Sequence, residues 1–278
     1  MQTSEAAHGA EGSLTVADPG RPVAVPERLV AAPERQVADL LPIEVEPDLA
    51  RATLQSVPFW FHTFALNRTQ GIYTPGAARD HRYRISSLPE DFTGMSVLDV
   101  GAFDGFYAFL AERRGATRVV AVDNEQYLLW VASRWGIELE GGEGFHAIKR
   151  LLGSEVEYHR LDAFALDGLD ERFDLVYCFG ILHRVENPLG LLRILRERTN
   201  SGGTVLLETY GLNPEDRNGP SIRVSEPGEV YPGDDFVYWG FGDSGLERLA
   251  RLAGFSRAES LTSVQVDGHP RIIGRLIA

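Results

Sequence analysis

Residues 97–106 of this chain read VLDVGAFDGF, an apolar strand that runs into a glycine-containing turn and then into the start of a helix. Residues 119–123, VVAVD, form a second apolar strand whose last residue is the acid Asp123. An acid about 20 residues beyond such a turn, at the end of the next strand, is typical of a βαβ unit that binds a nucleotide through its ribose. The two stretches therefore predict a nucleotide site at the edge of a sheet.

The spacing of the glycines narrows the choice of nucleotide. A dinucleotide site needs three glycines as G-x-G-x-x-G, because the pyrophosphate lies against bare backbone at the helix N-terminus. Here residues 101–105 read GAFDG, and the acid Asp104 would repel a pyrophosphate. The turn instead favours a ligand with a cationic or zwitterionic tail, such as S-adenosylmethionine (SAM).

The pattern Asp-x-Gly-x-x-x-Gly at residues 99–105 resembles motif I of the class I SAM-dependent methyltransferases. Further stretches resemble the CmoB-like branch of that family, which contains the tRNA wobble-uridine carboxymethyltransferase and small-molecule methyltransferases of natural-product pathways. These stretches are residues 60–62 (WFH), 73–76 (YTPG), 112–116 (ERRGA) and 179–184 (FGILHR). The resemblance covers residues 58–256.

Strand and helix patterns alternate along the chain, which predicts a parallel, doubly wound α/β sheet. The predicted strands are residues 97–100, 119–122, 156–160, 173–179 and 204–209, and the predicted helices are residues 47–55, 105–114, 127–135, 188–199 and 244–253. Ser244 is the predicted N-cap of the last helix. Residues 261–266 and 271–277 flank Asp267-Gly268, a hairpin signal. With the resemblance, this predicts a Rossmann-like, seven-stranded class I methyltransferase fold with a C-terminal antiparallel hairpin and an N-terminal helical cap.

Changes in composition along the chain divide it into three predicted segments. Residues 1–45 form a Pro/Ala-rich N-terminal arm, residues 46–90 a helical cap or lid, and residues 91–278 the SAM-binding domain with an inserted loop at 211–240. Two interpretations of the arm remain open: it is loose, or its apolar residues dock on another surface, such as a second subunit of a homo-oligomer.

Charge and cysteine content exclude several classes of site. The net charge is −13 and Lys149 is the one lysine, so the chain is poorly suited to bind nucleic acid, which requires clustered basic residues. A single cysteine, Cys178, excludes an internal disulfide framework and a multi-cysteine metal site. No compact histidine spacing indicates a metal, and we predict none. We expect a soluble, cytoplasmic protein with no membrane partner, because no signal sequence or long apolar run is present.

The predicted SAM site begins with Asp123 on the ribose. The resemblance places an acid and an apolar neighbour, Asp162 and Ala163, around the adenine. Asp104 is expected to pair with the methionine ammonium or with an ordered water, and Tyr73 and Arg79 to reach the methionine carboxylate. The whole predicted SAM (or S-adenosylhomocysteine, SAH) site is Tyr73, Arg79, Asp99, Gly101, Ala102, Phe103, Asp104, Gly105, Asp123, Asn124, Asp162, Ala163, Phe179, Gly180 and Leu182.

The predicted catalytic groups follow the strand ends. His183 comes just after the fourth strand and titrates near neutral pH, which suits a general base; the alternative is a histidine that only satisfies backbone groups. His62 in the cap is a second candidate base, and Glu208 ends the fifth strand. The predicted acceptor-binding residues are Trp60, Arg184, Tyr210, Tyr238 and Trp239, and Arg184 would either orient an anionic acceptor or lie in solvent.

These predictions indicate methyl transfer from SAM to an oxygen or nitrogen atom of a small molecule in specialised metabolism. A tRNA wobble-uridine (carboxy)methyltransferase is one alternative, but the resemblance implies for it a carboxylated SAM held by basic residues that include lysines. A nicotinamide-type oxidoreductase is a second, against which the missing third glycine argues. A non-catalytic SAM-binding protein is the third.

Overall fold

The computed structural model describes residues 30–216 and 219–278. The predicted N-terminal arm therefore lies largely outside the described residues. Its described part folds against its own chain: helix α1 (Ala32–Ala38) is followed by a turn, and Val37 and Leu41 are buried in a core shared with the segment that follows.

The cap, residues 46–90, combines helices with a hairpin. Helix α2 (Pro47–Ser56) begins at a proline, as predicted, because the missing amide hydrogen of proline costs nothing in the first helical turn. Strands β1 (Ala65–Asn67) and β2 (Ile72–Tyr73) pair antiparallel, and a short helix α3 (Arg82–Ile85) follows.

The remaining chain alternates strands and helices as the pattern predicts. In chain order these elements are β3 (Ser96–Val100), α4 (Phe106–Arg113), β4 (Arg118–Asp123), α5 (Gln126–Trp135), α6 (Glu143–Leu152), β5 (Glu157–Arg160), β6 (Phe173–Phe179), α7 (Pro188–Glu197), β7 (Thr199–Tyr210), β8 (Ile222–Val224), β9 (Trp239–Phe241), α8 (Asp243–Leu252), β10 (Arg257–Val266) and β11 (His269–Ile277).

Seven strands form one sheet in the order β10-β11-β7-β6-β3-β4-β5. Strands β5, β4, β3, β6 and β7 run parallel, and β11 runs antiparallel to both β7 and β10. The predicted fold class and its C-terminal hairpin are confirmed. The chain winds outward from β3 to β5 on one side and then returns to β6 and β7 on the other. This reversal opens a crevice at the carboxyl ends of the strands, where open α/β sheets bind ligands.

Apolar side chains cover both faces of the sheet. On one face the cap packs with α4 and α6, burying Phe64, Phe106 and Phe145; on the other, α7 and α8 bury residues such as Leu192 and Leu246. Burying a side chain of this size contributes about 1.5–3 kcal/mol each. The packing of the cap on the sheet therefore contributes to the free energy of unfolding.

Local details differ from the prediction where tertiary contacts decide. Helix α8 begins at Asp243 after Gly242, and Ser244 is not its cap: Ser244 Oγ donates to the carbonyl of Gly219 at 3.0 Å. Strand β7 begins at Thr199, earlier than predicted, because Thr199 pairs with Phe173 before an irregularity in the register. Helix α6 was not predicted. Among the described residues, no helix is long and apolar enough to cross a membrane.

Candidate functional site

A cavity of about 580 Å³ opens at the crevice between the carboxyl ends of the parallel strands. Its volume lies in the range of small-molecule sites. Many of the predicted site residues meet in its wall: Gly101, Phe103, Asp123, Asn124, Asp162, Ala163, Phe179, Gly180, Arg184 and Tyr238. The structure therefore gathers residues from the ends of β4 and β6 and from the segments that follow β3, β4, β5, β6 and β8 around one space.

Asp123 ends β4 and is 7% exposed in the cavity wall. Its Oδ2 accepts a hydrogen bond from the backbone N–H of Phe103 at 2.6 Å, and its Oδ1 accepts one from Asn124 at 2.9 Å. Each carboxylate oxygen has two lone pairs, so both keep capacity for ligand hydroxyls. Burial raises the pKa of Asp123 to about 7 against the opposing effect of these two N–H groups.

The turn below Asp123 is held in a left-handed backbone. Gly101 and Gly105 both have φ +79°, and a Cβ on Gly101 would lie 2.5 Å from Ile181 Cδ1. Phe103 also has a positive φ, +53°, which is uncommon for a bulky residue and indicates strain offset elsewhere. Its ring stacks on Phe61 of the cap, with centroids 4.5 Å apart and planes 19° from parallel. The strained residue thus joins turn and cap at the cavity wall.

Asp104 points away from the cavity, contrary to its predicted pairing with the methionine ammonium. Its Oδ2 accepts from the backbone N–H groups of Phe61 at 2.6 Å and His62 at 2.8 Å, and the residue is 3% exposed. Burial raises its pKa to about 7 although both N–H groups lower it. Asp104 therefore ties the cap to the turn.

Asp162 follows β5 beside the same cavity. Its Oδ2 accepts from the Asn124 side-chain amide at 2.7 Å, and its Oδ1 accepts from the Phe164 N–H at 2.7 Å. Ala163 and Phe164 line the wall next to it. We call Asp123, Asp162 and this wall the acidic end of the cavity; it offers carboxylates beside an apolar surface.

The opposite end of the cavity carries arginines and was largely missed by the sequence prediction. Arg84 of α3 and Arg271 of β11 line it, and Glu208 at the end of β7 lies between them, fully buried. Arg84 Nη2 donates to Glu208 Oε2 at 2.7 Å, Arg271 donates to both Glu208 oxygens through Nε and Nη2, and Tyr83 donates from 3.2 Å. We call Arg84, Glu208 and Arg271 the arginine end.

Glu208 is consequently bound to guanidinium groups and is not placed as a free base. Burial alone would raise its pKa, but Arg271 and Arg84 outweigh that effect and hold it below its usual value. The available signal for Arg271 was an arginine at the start of the mostly apolar stretch 271–277, which also contains Arg275. No local signal distinguished Arg84 from its neighbouring arginines.

Neither predicted histidine base lines the cavity. His183 is fully buried, and its Nδ1 lies 3.3 Å from both Thr209 Oγ1 and the Tyr210 backbone N. His62 is 2% exposed and packs among the rings of Phe61, Tyr107 and other aromatic residues. Burial lowers the pKa of both rings well below the usual value. The structure does not support the base role for either, since neither ring nitrogen faces the cavity.

The loop between β8 and β9, residues 225–238, borders one side of the cavity, and we call it the lid. Asp234, 2% exposed, accepts from Trp130 Nε1 at 2.9 Å and from Arg184 Nη1 at 3.0 Å. These contacts fix the lid to α5 and bring Phe236 and Tyr238 into the cavity wall. Arg184 therefore lies at the cavity, paired with Asp234 and above the Trp130 ring.

Other predicted site residues lie outside the cavity wall. Arg79 pairs with Asp267 at 3.4 Å on the surface, so it is not aimed at a ligand. The Tyr73 hydroxyl donates to Asp39 at 3.1 Å on the outer side of the cap. The indole nitrogen of Trp60 donates to the Leu54 carbonyl, and that of Trp239 donates to the Val185 carbonyl. Five further predicted residues do not line the cavity: Asp99, Ala102, Gly105, Leu182 and Tyr210.

The residues of the acidic end fit an adenosyl ligand. A strand-end carboxylate with spare lone pairs suits a ribose diol, and the Ala163–Phe164 surface suits a flat base. In the part of the chain that the structure describes, no group of three His, Cys, Asp or Glu side chains is placed to hold a metal ion.

Sequence comparisons agree with this geometry. The profile of a family described as "Methyltransferase domain" matches residues 73–257. The tRNA U34 carboxymethyltransferase of Campylobacter hominis is 29% identical over 126 residues, which cover 45% of this chain and 40% of that protein. Its namesake from Shewanella amazonensis is 30% identical over 154 residues, covering 51% and 42%. The match thus spans less than half the length of either relative.

Solved structures share the fold. The N-terminal domain of EvdMO1, crystallised in the presence of SAH and D-fucose, has a TM-score of 0.59 at 20% identity and covers 85% of this chain and 98% of that one. A SAM-dependent methyltransferase from Mesorhizobium loti has a TM-score of 0.51 at 16% identity and covers 73% and 99%.

Proposed function

The chain belongs to the methyltransferase-domain family, and on that premise we propose that it transfers a methyl group from SAM to an oxygen or nitrogen atom of a small-molecule acceptor. One observation carries the proposal: the buried Asp123 carboxylate, held by the glycine turn, faces the cavity at the reversal point of the sheet. A carboxylate in that place suits the two hydroxyls of an adenosyl ribose.

SAM, when bound, supplies a methyl carbon on a sulfonium; the acceptor lone pair forms the new bond, and the electrons of the broken C–S bond stay on sulfur to give SAH. Asp123 would bind the ribose, and the surface of Ala163 and Phe164 would contact the adenine. The rings of Phe61, Trp130 and Phe236 would exclude water. Such alignment in a dry site accounts for much of the rate of a displacement.

Proton removal needs no buried base in this scheme. The histidines lie behind the wall, whereas Glu186 stands exposed at the cavity rim. The acceptor proton would pass to Glu186 or to water at that rim. A positioned carboxylate can accept a proton from an acceptor of moderate acidity.

Enclosure and charge support a small acceptor over a nucleic acid. The lid contributes Phe236 and Tyr238 to the wall of a cavity of small-molecule size, and the net charge of −13 opposes a polyanion. We further propose a role in specialised metabolism and a cytoplasmic location.

The test is calorimetry with SAM, SAH and NAD on folded protein, followed by transfer of labelled methyl from SAM to a panel of acceptors. We expect one SAH per chain, no heat with NAD, and labelled product with at least one small acceptor. Absence of heat with both SAM and SAH would refute the proposal, and heat with NAD would favour the oxidoreductase alternative. SAH binding without product from any acceptor would favour a non-catalytic SAM-binding protein.

The names of the sequence relatives favour one second candidate, a tRNA wobble-uridine (carboxy)methyltransferase. Phosphate contacts make such binding strongly dependent on salt. Gel shifts with bulk tRNA at low and moderate salt separate the two candidates: tRNA binding that weakens steeply with salt supports the second, and no binding supports the first.

A further inference from the structure

The arginine end holds two guanidinium groups against one carboxylate. Within the described residues, Glu208 is the one carboxylate at ion-pair distance from either Arg84 or Arg271. Both side chains are only 10% exposed. A buried charge without a partner is costly, so an excess positive charge in a cavity wall favours an anionic ligand.

Neighbouring groups do not cancel this excess. Arg184 and Asp234 form a balanced pair of their own. A second buried carboxyl, that of Asp99, also interacts with Arg84. Its pKa is raised to about 7 by burial and by Asp123. The charge of Arg271 also affects neighbouring groups. Burial lowers the pKa of both His183 and Arg184, and Arg271 lowers both pKa values further.

Both guanidinium side chains line the cavity, so a ligand there would lie beside them. Arg84 Nε is buried and has no hydrogen-bond partner among the described residues, whereas Arg271 Nη1 donates to the Tyr231 hydroxyl at 2.9 Å. Gly180, at φ +79°, stands in front of the cluster: a Cβ there would lie 3.8 Å from both Arg84 Nη2 and Glu208 Oε2. No side chain at this position therefore stands between the cavity and the Arg84–Glu208 pair.

Position assigns this subsite to the acceptor. Asp123 ends β4 and Glu208 ends β7, three strands away, which is about 14 Å at the usual strand spacing. Only a few bonds separate the ribose of SAM from its methyl group, so with the ribose at the acidic end the arginine end would lie on the acceptor side of the methyl. The flanking wall is aromatic, with Phe179 under the Arg84 guanidinium and Tyr238 in the lid.

We propose that the acceptor is an aromatic or similarly flat molecule with a carboxylate, which docks on Arg84 and Arg271 while its nucleophilic atom faces the methyl donor. The planar guanidinium fork matches a carboxylate in geometry and charge. This inference rests on the proposed function, because the acceptor side is defined by SAM at the acidic end.

The experiment compares benzoate with benzamide, two probes of equal shape, on protein saturated with SAH. Charge-assisted hydrogen bonds predict that benzoate binds at least about tenfold more tightly than benzamide. Arg271→Gln and Arg84→Gln should each reduce this ratio severalfold, whereas Arg271→Lys should retain part of it. Arg275→Gln is the matched control, since Arg275 lies on the same strand but pairs with Glu259 at the surface.

Equal binding of benzoate and benzamide to the wild-type protein would overturn the inference, as would a ratio unchanged in both glutamine variants. A carboxylated SAM is the other source of the same anion. If it binds more tightly than SAM and loses that gain in Arg271→Gln, the subsite belongs to the donor and the inference is wrong. SAH binding, measured first in every variant, separates these failures from failure of the proposed function.

Discussion

The two ends of the cavity are built in opposite ways. The acidic end comes from one part of the chain, in which Asp123 ends β4 and Asp162 follows β5, its neighbour in the parallel array. The arginine end brings together Arg84 of the cap, Glu208 of β7 and Arg271 of β11. The first depends on local backbone geometry, whereas the second depends on the whole fold being in place. Four experiments separate these two dependences.

The largest effect is expected at the arginine end. Glu208→Gln leaves two buried guanidinium groups without a counter-charge, and removing one partner of a buried ion pair costs about 3–5 kcal/mol. We expect the free energy of unfolding in urea to fall by that amount. The matched control is Glu259→Gln on β10, whose pairs with Arg257 and Arg275 are at the surface and contribute at most about 1 kcal/mol. Equal losses in both variants would show that the arginine end is not held by its central carboxylate.

This difference in construction explains which site residues could be predicted. Gly101, Phe103, Asp123 and Asp162, which the sequence predicts as SAM-binding residues, meet in one cavity wall because a strand, a turn and the next strand end fix their relative positions. Arg79 was predicted and Arg84 was not, because the sequence alone does not show which of the arginines in residues 79–84 faces the sheet. Here Arg79 lies at the surface and Arg84 in the cavity wall.

The acidic end should be most sensitive at its glycine turn. Gly105→Ala and Gly202→Ala both place a side chain on a left-handed backbone, at φ +79° and +77°, which costs about 1–2 kcal/mol. At Gly105 the new Cβ would also lie 2.5 Å from the Phe145 ring, whereas no atom lies within 4 Å at Gly202. We expect Gly105→Ala to lose about 1–3 kcal/mol more than Gly202→Ala in urea unfolding, from overpacking. Equal losses would mean that the turn can shift freely against α6.

The fold itself was predicted more completely than the chemistry. Strand and helix order follows from hydrophobic periodicity, and the hairpin from Asp267-Gly268. The roles of His183 and His62 were not predictable in the same way, because a position just after a strand or beside aromatic residues does not tell whether a side chain faces the ligand or the core. In this molecule both face the core.

SAH affinity tests the acidic end directly. Asp123→Ala removes the predicted hydrogen bonds to the ribose, and we expect binding to weaken by about 1–3 kcal/mol in calorimetry. Arg79→Ala is the control, since its guanidinium pairs with Asp267 at the surface. A larger loss in Arg79→Ala than in Asp123→Ala would support the predicted contact of Arg79 with the methionine carboxylate and would contradict the predicted contact of Asp123 with the ribose.

The smallest effect distinguishes the two ends by their response to pH. Burial raises the pKa of Asp123 to about 7 in the free protein, and the ionised form is the better acceptor for ribose hydroxyls. SAH binding therefore favours loss of the proton, so affinity should rise as the pH increases from 6 to 8, by up to about tenfold. Asp123→Asn should remove this dependence. If the slope survives in Asp123→Asn, the titrating group is another one, and Asp99, whose pKa is also raised to about 7, becomes the candidate.

At the arginine end the guanidinium groups stay charged, because Glu208 outweighs burial and raises the pKa of both Arg84 and Arg271. Benzoate affinity of the SAH-saturated protein should accordingly stay constant over the range in which SAH affinity changes.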